Sequence, residues 1–329
     1  MTIKKYATHA EWLADRRAST LLGATDIPTI MGHGFGDRTA WSVWLDKLDK
    51  DGMEPEREPS QAMRIGLAAE QLILEWFAQN YDGNAADDIV AGPWAVTHGA
   101  LRVSPDALVH NADGNVVGIV EIKTAAPMYR HEWAPHGTVR VGRLEGWDDG
   151  YPCKTTYLWQ VYAQAAAVWG VTGRVPTIEL VVAFVEPVAI GVHIADDLPP
   201  IAIHEIRVLT IVPDPDDLQA ILDIAGEWTR KHLQARVPPP LDGSPECRLH
   251  LLRDREPRSE VRDATPDEAA RISAILDARA AEAASEAQRR PQEAELIAMM
   301  GRAKTVKCPA GKATISANGR LTVTAPKES

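Results

Sequence analysis

The sequence is poor in cysteine and shows no excess of basic charge. Its three cysteines, Cys153, Cys247 and Cys308, stand far apart. They form neither a disulfide framework nor a CxxC metal motif, and they are too few to ligate an iron–sulfur cluster. Thiols this sparse fit a reducing cytoplasm. No run of about 18 apolar residues is present, which excludes a transmembrane helix. The opening stretch, MTIKKYATHAEWLADRR, has no apolar segment of the secretory kind, so no signal peptide is expected. A formal net charge of −11 argues against a binder that relies on Lys and Arg contacts to phosphate. It does not argue against an enzyme whose clustered carboxylates are offset by bound cations.

What is present suffices for a sizeable core. With 329 residues, 45% of them hydrophobic, the chain can form one large domain and an appendage. Leu101 to Thr124, LRVSPDALVHNADGNVVGIVEIKT, reads as two strands joined by a turn at Asn111-Ala112-Asp113-Gly114. Val116, Val117, Ile119, Val120 and Ile122 are apolar on both faces, so the second strand is expected to be buried and central. Glu121 and Lys123 interrupt it, and buried charges are costly unless paired or bound to an ion. A four-residue turn would set His110 opposite Asn115, Asp106 opposite Ile119 and Glu121 opposite Ser104. Asp106, Glu121 and Lys123 then share one face, the carboxylates as diagonal neighbours able to hold a hard divalent cation. A one-residue change in the loop would put Asp106 on the other face. Pro105 cannot donate to a ladder, so pairing should break just before Asp106.

Elsewhere the chain supplies candidates for the surroundings of that hairpin. Glu11 to Ala18 is helix-like and brings Arg16 and Arg17 together, either as solvated charge or as a bidentate phosphate clamp. Leu22 to Pro28 is a turn with a helix cap at Thr25 or Asp26. Gly32 to Asp37, GHGFGD, reads as flexible and lacks the GK[ST] ending of a phosphate loop. Thr39 caps a helix carrying Trp41 and Trp44. A long helix from Ser60 to about Asn80 has an expected core stripe of Met63, Leu67, Leu74 and Phe77, with Glu70 on it and Gln71, Glu75 and Gln79 solvated. Gly66, one turn before Glu70, would admit a close neighbour. A strand is expected near Ile89 to Thr97. Pro127 to Lys154 reads as a long aromatic, His- and Arg-rich connection suited to stacking or phosphate contacts, although acidic residues balance its charge. Thr156 caps an apolar helix on which Gln160 and Gln164 lie one turn apart, so at least one should point at a polar site. Strands at Thr177 to Val185 and Ala202 to Thr210, then a helix to about Gln234, complete an α/β order with a mixed central sheet flanked by helices.

Beyond that domain, taken as 1–236, residues 237–264 read as a linker or irregular surface segment. Residues 265–329 form a C-terminal extension: a helix from Thr265-Pro266, interrupted at Pro291, then a β-hairpin turning at Asn318-Gly319.

Five motifs occur in order: the Arg-bearing helix leading into Gly23-Ala24-Thr25-Asp26-Ile27, Gly66-x-x-x-Glu70, Ser104-Pro105-Asp106, Glu121-Ile122-Lys123 and Tyr157-x-x-Gln160. Together they resemble the YqaJ-like viral recombinase family, the lambda-exonuclease-like members of the PD-(D/E)xK nuclease superfamily, from about Trp12 to Val185. The resemblance implies a restriction-endonuclease-like core. It also implies a DNA exonuclease, acting 5′ to 3′ on linear duplex, that exposes a single strand for recombination. Carried onto this chain, Asp106, Glu121 and the Ile122 carbonyl would bind Mg²⁺, with Mn²⁺ as a substitute and one or two ions in place. Glu70 would complete the metal site. Lys123 would position and help deprotonate the attacking water, and Gln160 would orient Lys123 or that water. Arg17 would contact a 5′-phosphate, with Arg16 or Thr25 sharing the role. The resemblance further implies double-stranded DNA ends as substrate, a RecT/Beta-like single-strand annealing partner, a phage or prophage origin in a bacterial cytoplasm, no membrane association, and a homo-oligomer such as a trimer. The competing readings are an endonuclease or RecB-like repair nuclease on the same fold, and a non-catalytic DNA-binding recombination protein.

Overall fold

The computed structural model describes residues 1–48, 60–81, 83, 87–142, 144, 153–187, 201–253, 261–316 and 318–325. Arg143, Glu145, Trp147, Asp148 and Asp149 of the long connection lie outside these residues. The chain divides into two compact units, Met1–Arg255 and Glu256–Ser329.

In the first unit the chain runs through β1 (Thr2–Lys5), α1 (His9–Ala18), α2 (Asp26–Ile30), α3 (Ala40–Leu48), α4 (Gln61–Gln79), β2 (Asp88–Ala91), β3 (Trp94–His98), β4 (Leu101–Val103), β5 (Ala107–His110) and β6 (Val116–Ala125). It continues through β7 (Thr138–Gly142), α5 (Thr155–Thr172), β8 (Thr177–Pro187), β9 (Ile201–Pro213), α6 (Pro215–Trp228) and α7 (Pro245–Arg253). A six-stranded mixed sheet, ordered β2-β5-β6-β8-β9-β7, is the centre, and β1-β3-β4 form a small antiparallel sheet beside it. This is the α/β architecture that the element order predicts. β6 is central, antiparallel to β5 and parallel to β8.

Side chains alternate along β6 and separate two cores. Val120 and Ile122 meet Ile65, Ala69, Ile73 and Phe77 of α4 on one face. Ile119 meets α5 on the other, where Leu158, Val161, Tyr162 and Ala165 are buried. α5 also packs the small sheet, so it is apolar nearly all round, with Gln160 and Gln164 its buried polar exceptions. The buried stripe of α4 differs from the expected one. Ile65, Ala69, Ile73 and Phe77 face the sheet, Leu74 flanks them, and Met63 and Leu67 are each 60% exposed. Both sets have helical spacing, and the tertiary contact selects between them. Gly66 lies close to β6, where a Cβ would come within 3.2 Å of the Thr124 hydroxyl.

The expected hairpin is correct in its second strand and divided in its first. Leu101–Val103 pair with β3 in the small sheet, and the chain enters the large sheet only at Ala107. The break falls at Ser104-Pro105-Asp106, where proline cannot donate. The strand expected near Ile89 to Thr97 is divided in the same way, between β2 and β3.

The register also differs. Ala107 pairs with Val120, which sets Asp106 across from Glu121 instead of Ile119. Two irregularities produce the shift. The connection spans Asn111–Asn115, closed by an Asn111 N–H to Asn115 carbonyl bond of 2.9 Å, and the pairing slips once between Val109 and His110. Each would exchange the faces of the strand; together they restore the face and move the partner by two residues.

Three further segments depart from expectation. The long connection contains a 3₁₀ turn at Pro127–Glu132 and the edge strand β7. Within 237–264, α7 is regular: its Cys247 is buried against Trp41 and Trp44, and the Trp41 indole donates to the Pro240 carbonyl at 2.8 Å. In the second unit, α8 (Pro266–Met300) passes through Pro291 without interruption. The lost hydrogen bond is tolerable because the carbonyl it leaves open can reach solvent, and ion pairs Arg290–Glu286 and Arg289–Glu293 flank the position. A capping box at Thr265 and Glu268 starts this helix. β10 (Thr305–Cys308), β11 (Gly311–Ile315) and β12 (Leu321–Thr324) follow as an antiparallel sheet, with the β11–β12 turn at Asn318-Gly319 as expected.

The two candidate stripes of α4 separate by stability. Ile73→Ala should destabilise the first unit by about 2–5 kcal/mol, whereas Leu67→Ala should fall within about 0.5 kcal/mol of the parent. Urea unfolding of both variants checks this, and equal losses would reverse the assignment.

Candidate active site

The candidate site forms where the chain crosses between the two sheets. The crossings, at Gly92-Pro93 and Ser104-Pro105-Asp106, touch: the Gly92 N–H donates to the Asp106 carbonyl at 2.8 Å. A Cβ at residue 92 would stand 3.2 Å from that oxygen, so glycine permits the approach. The Asp106 N–H donates to the Val120 carbonyl at 3.1 Å. With its backbone held on both sides, Asp106 directs Oδ2 at the Ile122 N–H, 2.6 Å away.

Glu121 lies on the α5 side of β6 and is 3% exposed. Its Oε1 accepts from Lys123 Nζ and from Gln160 Nε2, and its Oε2 accepts from Gln164 Nε2 at 2.7 Å. Gln164 Nε2 also reaches the Ser104 carbonyl at 3.4 Å, tying α5 to the chain crossing. These bonds replace the solvent that a buried carboxylate has lost. The Lys123 ammonium also lies 5.2 Å from the centre of the Tyr157 ring. Burial disfavours that ammonium, but Glu121 and Asp106 outweigh burial and hold Lys123 above the usual lysine range.

Glu70 comes from α4 and is half-buried. With Asp106 it lines a cleft of about 380 Å³ whose walls include His9, Trp12, Leu67 and Trp94. Burial and then the charge of Glu121 raise the Glu70 carboxyl above its usual range, against the opposing pull of Lys123 and His9. Asp106 is pushed well above the ordinary carboxylate range, by burial first and then by Glu121 and Glu70.

Three carboxylates facing one ammonium leave excess negative charge where little solvent screens it. That is donor chemistry for a hard divalent cation. Gln160 Oε1 and Gln164 Oε1 add two buried oxygens without a hydrogen-bond partner. These oxygen donors are of the type that Mg²⁺ or Mn²⁺ would take. Among the described residues, however, no group of three or more His, Cys, Asp or Glu side chains is gathered as a ligand set. Both oxygens of Glu121 are engaged, so cation binding requires at least one of its hydrogen bonds to exchange.

The structure thus brings together Glu70, Asp106, Glu121, Lys123 and Gln160. Ile122 joins them through its N–H. Arg16 lies over the Trp12 ring at 5.2 Å, Arg17 is on the exposed last turn of α1, and Thr25 precedes α2, its carbonyl accepting from the Thr29 hydroxyl at 2.9 Å. What holds α1 beside the cleft is Trp12, whose indole N–H donates to Ser104 Oγ at 2.9 Å and to the Trp94 carbonyl at 3.1 Å. A second anchor is the buried Arg102, which donates to Asp15 at 2.7 Å and to the Tyr6 hydroxyl at 3.2 Å. The Tyr6 hydroxyl bond, followed by Arg102, keeps Asp15 below the usual carboxylate range.

His9, Trp12, Ser104 and Gln164 were not assigned to the site from sequence. Gln164 had a signal, its place one turn beyond Gln160 on an apolar helix. Trp12 had none, because its contacts are about ninety residues away in the chain.

A family model described as a YqaJ-like viral recombinase domain matches residues 11–174. Among solved structures, the chain is similar to a crystal structure from Eubacterium rectale described as a "Putative exonuclease", at 11% identity and a TM-score of 0.40, over 79% of this chain and 97% of that one. No curated protein matches the sequence.

Burial of Asp106, and then repulsion from Glu121 and Glu70, set a pH dependence. A carboxyl raised by folding contributes most below its unfolded value of 3.8, and that contribution is lost as pH rises through the folded value. Asp106→Asn, which can still accept from Ile122, should therefore be more stable than the parent at pH 8, with the gap closing toward pH 4. Melting curves across that range check it; a variant less stable at pH 8 would contradict the repulsion.

Proposed function

With residues 11–174 belonging to the YqaJ-like viral recombinase domain family, we propose that the chain is a metal-dependent DNA exonuclease. It hydrolyses phosphodiester bonds from the ends of linear duplex, 5′ to 3′, and leaves single strands for phage-type recombination. The observation that carries this reading is the buried cluster of Glu121, Lys123 and Gln160, with Asp106 directly across the hairpin and lining one cleft together with Glu70. A pure binding protein has no need of charges buried at that cost.

Phosphodiester hydrolysis needs a positioned water, in-line attack, and positive charge for the crowded transition state and leaving oxygen. Asp106, Glu121 and the Ile122 carbonyl, with Glu70, would hold Mg²⁺ or Mn²⁺, which when bound supplies Lewis acidity toward the phosphate oxygens. Lys123, kept as an ammonium by its carboxylate neighbours, orients the attacking water and places positive charge beside the phosphate. With a cation on those carboxylates, the ammonium would be held less firmly, and Lys123 would then help remove the water's proton. Gln160 and Gln164 fix the Glu121 carboxylate so that Lys123 is not drawn out of position. On this reading Arg17, with Arg16 and Thr25 nearby in sequence, receives the 5′-phosphate of the strand end. A single-strand annealing protein is then the natural consumer of the product, in the cytoplasm of a bacterial host.

The decisive assay incubates 5′-phosphorylated linear duplex, 5′-hydroxyl linear duplex and closed circular DNA with the protein, in Mg²⁺ or EDTA. Linear DNA should be degraded only in Mg²⁺, with the circle intact. Cutting of the circle would instead indicate an endonuclease. Asp106→Ala and Lys123→Ala should each lower the rate by about a hundredfold or more with folding retained, and a fully active Lys123→Ala protein would refute its role. Arg17→Ala should reduce the preference for 5′-phosphorylated ends; an unchanged ratio between the two linear substrates would remove Arg17 from the end-binding site.

A further inference from the structure

The Gly32–Asp37 loop, which reads as flexible from its glycines, has a defined shape. Gly32 and Gly36 adopt φ of +82° and +60°, which other residues rarely take. A Cβ on Gly34 would come within 2.6 Å of the Arg38 carbonyl oxygen, so this position must lack a side chain. Backbone bonds close the loop onto α2, from His33 to the Pro28 carbonyl at 2.7 Å and from Gly32 to the Thr29 carbonyl at 3.2 Å. The three glycines thus bend the chain tightly enough to set two rings, His33 and Phe35, against the start of α5.

Those rings make two separate contacts with α5. The His33 ring stacks on Trp159 with centroids 6.2 Å apart and planes inclined by 17°. Phe35 packs on Tyr157 at 5.6 Å, and Trp133 stacks on the same tyrosine at 5.6 Å. Tyr157 in turn faces the Lys123 ammonium at 5.2 Å. Trp133 is buried, Tyr157, Trp159 and Phe35 are half-buried, and His33 is exposed. The Phe35–Tyr157 pair therefore adjoins the catalytic candidate Lys123, and the His33–Trp159 pair, held by the same loop and the same end of α5, reaches solvent. A core cluster would not require a shaped loop to present its outermost ring to water.

We infer that His33 and Phe35, with Trp159 and Tyr157, form a stacking platform for unpaired nucleobases of the DNA strand that adjoins the scissile phosphate. This inference rests on the nuclease reading for the identity of its ligand. Base–aromatic stacking tolerates any sequence, because each base offers a π-face, and it requires bases that are already unpaired. The contact of Tyr157 with Lys123 selects a single DNA strand over a protein or small-molecule occupant. A phosphate held at the site leaves its neighbouring bases within reach of the adjoining rings. The platform asks for no basic patch, which agrees with a chain of net charge −11.

The test is binding in EDTA, where no hydrolysis is needed. Fluorescence anisotropy compares a labelled oligothymidine with an abasic sugar-phosphate oligomer of equal length and charge. The parent protein should prefer oligothymidine. His33→Ala should weaken that binding by about tenfold, leaving the abasic oligomer and the melting temperature unaffected. Phe35→Leu, which keeps the apolar contact with Tyr157, should behave alike, and Phe35→Tyr should restore affinity. Equal parent affinity for the two oligomers, or unchanged oligothymidine affinity in both His33→Ala and Phe35→Leu, would overturn the platform. Parallel digestion of linear duplex in Mg²⁺ separates the two claims. Ring-dependent binding by a protein that hydrolyses nothing would overturn the nuclease reading alone. Hydrolysis with ring-independent binding would overturn the platform alone.

Discussion

A carboxylate buried at the centre of a β-sheet is the constraint from which the rest of the site follows. Glu121 lies on β6 between two hydrophobic cores, and its charge there is tolerable only if donors replace water on both oxygens. Lys123 supplies one from the same strand, two residues on, where the pleat returns to the same face. Gln160 and Gln164 supply the others from one face of α5. α5 must therefore lie at a fixed height and rotation over the sheet, and its otherwise apolar surface locks it there against β3, β4 and β8. The polar network specifies position and the apolar packing supplies stability; neither alone would do both.

Negative charge accumulates around this centre by topology. The chain leaves the small sheet at Ser104 and enters the large one at Ala107, so Asp106 occupies the corner between them, with its backbone held by Gly92 and Val120. α4 covers the opposite face of β6, yet Glu70 lies at the flank of its buried stripe and so opens onto the same cleft. Three elements distant in sequence thus direct carboxylates to one corner, at the cost of raised carboxyl pKa values at Asp106 and Glu70. Such unfavourable electrostatics in a well-packed fold is a sign of function, since apolar side chains would have filled the corner more stably.

Much of this was legible in the sequence. β6 could be recognised as buried and central from apolar residues on both faces, and Glu121 and Lys123 as its anomalies. Proline at 105 foretold the break before Asp106. The pairing itself was not legible, because it depends on a five-residue connection and a slip between Val109 and His110 that no local propensity specifies. Asp106 and Glu121 came to share a face because two displacements of one residue add to an even shift of two. α4 offered two plausible stripes, and only its contact with β5, β6 and β8 distinguishes Ile65-Ala69-Ile73-Phe77 from the one containing Met63 and Leu67. Contacts of long sequence separation, such as Trp12 with Ser104 or Trp41 with Pro240, leave no periodic trace.

Glycine shows why composition misleads where geometry does not. Three glycines within six residues suggest a mobile loop, because glycine gains most entropy when free. In Gly32–Asp37 each of the three instead answers a steric demand, two through positive φ and one through the Arg38 carbonyl. Glycine at those positions gives up its freedom to reach a conformation closed to other residues, so the loop is specified by the glycines that seemed to loosen it. Gly92 repeats the logic at the crossing beside Asp106. The close backbone approaches that shape the corner and seat the two aromatic pairs depend on the same property, the absence of a Cβ, and this ties two stretches nearly sixty residues apart in the chain to one mode of construction.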